Sequence, residues 1–168
     1  MMPDFEIKVD LSEVYEFMEE LGAVPNILHE EVVGAMDASL SVWEQYAVPA
    51  TPVGATGHAR QSIDTMIHGA PPNLRGVILM GVPYGLPLEH GRKRGKWPPR
   101  DAIAMWVRRK LDDVPEEQVD RVAFLIQRAI GERGTEGAHM FETAWDKGKR
   151  PIMRIWEDVP GRVLGRLA

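Results

Sequence analysis

The residues able to do chemistry crowd into one stretch, Tyr84 to Arg100, which reads YGLPLEHGRKRGKWPPR. Glu89 and His90 set a carboxylate beside an imidazole, and Arg92, Lys93, Arg94, Lys96 and Arg100 put five cations into nine residues. An acid–histidine pair suits a metal or general acid–base work. On a helix adjacent side chains diverge, so a metal here needs a further ligand, such as His58 or His68, delivered by the fold. Glycines flanking bases suit a phosphate loop, yet GRKRGKW lacks the Walker spacing and no hydroxyl follows Lys96. The five cations with Trp97 among them fit either nucleic-acid phosphates with a stacked base or an acidic protein partner. Trp97-Pro98-Pro99 favours the protein, because rigid aromatic and proline groups lose little entropy when an interface buries them.

Other catalytic patterns are missing from the sequence. There is no GxSxG elbow and no HExxH pair, the five histidines are scattered, and the chain has no cysteine to serve as nucleophile, zinc ligand or disulfide. Asp112-Asp113 and Glu116-Glu117 read as exposed charges at helix ends. The expectation is therefore a protein that is not an enzyme, with no cofactor and no metal.

Elements that could position the central stretch follow from periodicity. Phe5 to Val9 alternates as a short strand, and Asp10 with Glu13 forms a capping box ahead of Val14, Phe17, Met18 and Leu21. Pro25 suits a first helical turn, and Leu28, Val32, Met36, Leu40, Trp43 and Ala47 then recur at three- and four-residue spacing, which predicts a long amphipathic helix. ATPVGATG, residues 50–57, is a loop, and Ser62–Ile67 and Leu74–Val82 read as strands. The second strand is a nearly continuous apolar run, as expected of one covered on both faces; Gly76 and Gly81 allow bulges or close backbone approach, and the small sheet is expected to extend across subunits at its unpaired edges. Asp101 is placed to cap a helix burying Ile103, Trp106, Val107 and Leu111. Pro115 opens the next, with Val119, Val122, Ala123, Ile126 and Ile130 inward and Arg133-Gly134 as its stop. Met140, Phe141, Ala144 and Trp145, then Ile152, Ile155, Trp156 and Val159, predict two short helices separated by a basic break at 147–151. The fold class expected is α+β: a long N-terminal amphipathic helix packed on a small antiparallel sheet, followed by two to four shorter helices.

With 168 residues and 44% apolar content, the chain is expected to form a single domain over residues 1–168. Its parts are an extension at 1–24, a core at 25–146 and a C-terminal arm at 147–168. No apolar run is long enough for a membrane helix, and MMPDFEIKVD lacks the basic and apolar regions of a secretory signal. The net charge of −5 hides a polarity: residues 1–47 hold eleven acids and one base, and the rest holds fourteen acids and nineteen bases. Such a split suits electrostatic matching between copies or partners.

The order of short motifs resembles the neck and tail-completion proteins of tailed siphophages, the family of the lambda tail-completion protein. The matching residues are Pro49 or Pro52 with Thr56-Gly57, then Ser62-Ile63, the apolar strand Val77 to Met80, Tyr84, Glu89 and Gly91, and Trp97-Pro98-Pro99. Trp106, Val107, Lys110 and Leu111, followed by Ile130, Gly134 and Thr135, continue the match, which runs roughly from residue 28 to 146. The basic 92–96 loop, the segment before residue 25, and Leu86-Pro87 between the tyrosine and the glutamate depart from it.

The resemblance implies a structural virion protein at the head–tail junction, assembled in the host bacterial cytoplasm. It implies a cyclic homo-oligomer, six-fold in such rings, joining the tail to the DNA-filled head. Its neighbours would be a head-completion or stopper protein and a tail terminator or tail-tube protein, with DNA in the channel as a further contact and no membrane. Tyr84, Glu89, Gly91, Trp97, Pro98 and Pro99 are then the candidate subunit or partner contacts. Arg92, Lys93, Arg94, Lys96 and Arg100 face DNA or an acidic partner. A tail terminator ring is the nearest alternative, and a small metal-dependent hydrolase using Glu89 and His90 is the remote one.

Overall fold

The computed structural model describes residues 4–8, 10, 12 and 25–167. The expected helix bearing Val14, Phe17, Met18 and Leu21 lies outside the described residues. The elements are β1 (Asp4–Lys8), α1 (Pro25–Ala50), α2 (His58–Gln61), β2 (Ile63–His68), β3 (Arg75–Met80), α3 (Gly85–His90), α4 (Arg100–Lys110), α5 (Glu116–Arg133), α6 (Met140–Glu157) and α7 (Val159–Leu167). This is the α+β fold read from the sequence, with α2 and α3 as additional short helices.

The spine is α1. Its predicted stripe, Leu28, Val32, Met36, Leu40, Trp43 and Ala47, is buried along its whole length. One side carries an antiparallel sheet in the order β1-β3-β2. Ile63, Thr65 and Ile67 of β2 stand in register with Met80, Ile78 and Gly76 of β3, so one row of both strands turns toward the helix. Gly76 lets that row approach: a Cβ there would lie 3.2 Å from Leu40 and closer still to the sulfur of Met36. β3 is the central strand, with β1 and β2 on its two edges, so the sheet's free edges are β1 and β2 rather than residues 75–80. Its apolar run reflects burial of Ile78 and Met80 against α1, while Val77 and Leu79 on the opposite face are half-buried.

The other flank of α1 is taken by α6, running antiparallel to it. The Trp43 indole donates to the Phe141 carbonyl (3.2 Å) and the Trp156 indole to the Ser39 hydroxyl (3.0 Å). The predicted break at 147–151 is absent, since α6 passes through Pro151 and ends at Glu157, with Asp158 as its cap. An interior proline removes an amide donor and costs roughly 3 kcal/mol. Packing outweighs that cost here, because Ile152 is buried and Gly148 lies within van der Waals reach of Val42 and Tyr46. Helix α7 folds back onto α1 through Arg162 to Glu31 (2.8 Å) and Arg166 to Glu30 (2.7 Å) and Glu31 (3.1 Å).

Helices α4 and α5 form a hairpin with a small cluster of their own, Ala104, Val107, Val119 and Ala123. Pro99, extended at φ −59° and ψ 130°, occupies the cap position of α4, so Asp101 is not the cap but a first-turn acid. Glu116 and Glu117 occupy the first turn of α5 after Pro115, and Gly134 closes it at φ 79° with its amide on the Ile130 carbonyl (2.8 Å). No helix among the described residues is long and apolar enough to cross a membrane.

Candidate functional site

The LPLEH run folds as part of α3. Pro87 is tolerated because it falls in the first turn, where amides have no intrahelical partner. On this helix Glu89 turns into the protein and His90 stays exposed. The Glu89 side chain is 1% exposed, and its two oxygens accept the amides of Phe141 (3.2 Å) and Glu142 (3.3 Å). Those amides belong to the first turn of α6, where the helix offers unsatisfied donors and the positive end of its dipole. Glu89 is therefore a helix cap supplied from a distant part of the sequence. It borders a cleft of about 390 Å³ together with His90, Trp43, Glu142 and Trp145. Neither His58 nor His68 lines this cleft, and no cluster of three metal-ligating side chains occurs among the described residues.

Beyond α3 the basic loop is pinned to the strand-like segment leading into α6. Amides of Ala138 and His139 donate to the carbonyls of Leu88 (2.8 Å) and Glu89 (3.1 Å). Arg92 and Thr135 exchange both backbone bonds (2.9 and 3.0 Å), and the Gly95 amide reaches the Gly131 carbonyl (2.7 Å). Gly91 makes this clamp possible: its φ of 80° suits glycine, and a Cβ there would collide with the Thr135 carbonyl.

The WPP segment fastens the hairpin to this clamp. The Trp97 indole lies against Gly131, where a Cβ would come within 2.7 Å of the ring. Pro98 is buried and its carbonyl accepts from Gln127 (2.7 Å). Arg100 donates to the Asp120 carbonyl (3.0 Å) and sets its guanidinium 5.9 Å from the Phe124 ring centre. The six contact candidates thus divide. Glu89 and Pro98 are interior and Gly91 shapes the clamp, so these three hold the surface instead of forming it; Tyr84, Trp97 and Pro99 are exposed. Among the bases, Arg92 is half-buried and Lys93, Arg94, Lys96 and Arg100 face outward.

A groove of about 510 Å³ separates the hairpin from the body. It is lined by Pro52, Thr56 and His58, by Tyr84 and Leu88, and by Ile103, Met105 and Trp106 of α4. At Tyr84, Leu88 and Ile103 it adjoins a smaller recess of about 220 Å³ that reaches Pro87, Arg92, Pro98 and Thr135. Two arginines brace this region, and nothing in their spacing announced it. Arg60 donates to the Thr51 (2.6 Å) and Pro49 (3.0 Å) carbonyls, closing the 49–60 turn. Arg109 crosses to the Ala55 carbonyl (2.9 Å) and ties α4 to that turn. No protein-family model, curated protein or solved structure matches the chain.

Proposed function

We propose that this chain is a structural subunit of a tailed-phage head–tail junction, a neck or tail-completion protein that assembles as a ring. The observation that supports the reading is convergence. Several of the residues whose order carries the resemblance lie far apart in the sequence: Pro52 and Thr56, Tyr84, Pro98, Trp106, and Ile130 with Thr135. They meet around one apolar groove and its adjoining recess. Residues that hold backbone in place (Glu89, Gly91, Pro98) are interspersed with residues that present surface (Tyr84, Trp97, Pro99) within one short segment, which suits a docking scaffold. The two oxygens of Glu89 already serve amides of α6, an arrangement that serves architecture and leaves the hydrolase alternative with little support.

Imaging of particles containing this chain tests the reading. A ring of its density between head and tail is the expected result, and particles that join heads to tails without it would overturn the proposal.

A further inference from the structure

One face beside the clamp is both apolar and positively charged. Trp97 is 49% exposed although one side of its indole rests on Gly131, and Phe124 and Leu125 are 42% and 54% exposed. The Trp97 and Phe124 rings lie 6.5 Å apart, with Arg100 against the latter. Lys93, Arg94 and Lys96 extend outward from the neighbouring loop, which its backbone bonds to Gly131 and Thr135 keep in place. None of these three has an acid within ion-pair distance among the described residues.

A duplex nucleic acid would satisfy the charges and leave the aromatic and leucine surface wet, since its phosphates bring no apolar partner. A segment that carries acids and large apolar side chains together would satisfy both. This chain contains such a segment: residues 10–21, DLSEVYEFMEEL, hold five acids and no base, interspersed with Val14, Tyr15, Phe17, Met18 and Leu21. We propose that the Trp97–Phe124 face and the bases of the 93–96 loop receive the acidic segment 10–21 of a second copy of this chain. Donor and acceptor are different surfaces, so each copy offers one of each and the contact runs head to tail. This names the contact within the ring proposed above and rests on that reading only for closure of the series into a ring.

Sedimentation of the full-length chain at low and high salt is the experiment. Expected is self-association that weakens as salt rises, because much of the contact is between partly exposed charges. Lys93→Glu/Arg94→Glu/Lys96→Glu should weaken association by about tenfold or more, as should Glu13→Lys/Glu16→Lys/Glu20→Lys. A chain bearing both sets, or an equimolar mixture of the two variants, should recover it. Circular dichroism checks folding, and a serine set at 93, 94 and 96 replaces the glutamate set if that one fails to fold.

A wild-type chain that stays monomeric at low salt overturns the contact. So does unchanged assembly in both reversed variants, an outcome that leaves the ring itself to particle imaging and so separates the two failures. If the loop variant assembles normally and instead loses salt-dependent binding of a short duplex DNA, the bases belong to nucleic acid and the contact is wrong.

Discussion

Glu89 shows how much a single side chain depends on its surroundings. A glutamate beside a histidine in a loop-like sequence invites metal or proton chemistry, yet its carboxylate is buried against two amides at the start of α6. Removing it leaves the buried Phe141 amide and the part-buried Glu142 amide without this acceptor, the buried one costing about 1–3 kcal/mol. Glu89→Ala should therefore lower the urea midpoint by an amount of that order, and Glu89→Gln, which keeps one acceptor oxygen, should lose less. A midpoint unchanged in Glu89→Ala would mean that the carboxylate does not hold the helix. Nothing within five residues of Glu89 signals this role, since its partners lie 52 and 53 positions away. By contrast, the Arg133-Gly134 stop is legible, because positive φ is a local demand that glycine meets.

Among the elements, the periodic ones were easiest to read. The stripe of α1 was complete in the sequence because burial repeats with the helical period, and the strands at 63–68 and 75–80 differ from expectation only at their ends. The sequence predicts two helices where α6 is one, since a proline beside three bases looks like a stop; the contacts with α1 that carry it through Pro151 lie far away in sequence. The attachment of α7 joins burial of Val159 and Val163 in the main core to an electrostatic tie. Arg162 and Arg166 beside Glu31 hold its carboxyl below the ordinary value of 4.5. A lowered pKa means that this tie is fully present above the unfolded value and is lost as pH falls through the folded one. Acid titration below 4.5 should thus loosen α7 in the wild type, and Glu31→Gln should remove that part of the pH dependence. Equal acid sensitivity in the two proteins would assign the loss to other carboxylates.

At the scale of the whole molecule, two clusters of different size are joined by a narrow connection. The main core spans α1, the sheet, α6 and α7, whereas the α4–α5 hairpin buries four small side chains of its own. Among the described residues its ties to the body include the clamp, the Trp97 contact with Gly131, the Gln127 bond to Pro98 and the Arg109 bond to Ala55. Stability follows buried apolar contact, so the hairpin should open at a lower free energy than the core. Hydrogen exchange should show amides of α4 and α5 less protected than those of α1 and α6, and equal protection would make the molecule one cooperative unit. The groove between the two bodies is the surface that such opening would change.

Local periodicity and backbone demands in the sequence determined the long helix, the strands, the hairpin and the polarity of charge, because each is written in neighbouring residues. The tertiary structure decided which strand is central, that α6 continues through a proline, and that the Tyr84–Pro99 stretch is half scaffold and half surface. Those outcomes depend on which distant groups come within hydrogen-bond or packing distance. Glu89 on the amides of α6, Trp97 on Gly131 and Arg92 on Thr135 are all such encounters, and no spacing within the chain encodes them.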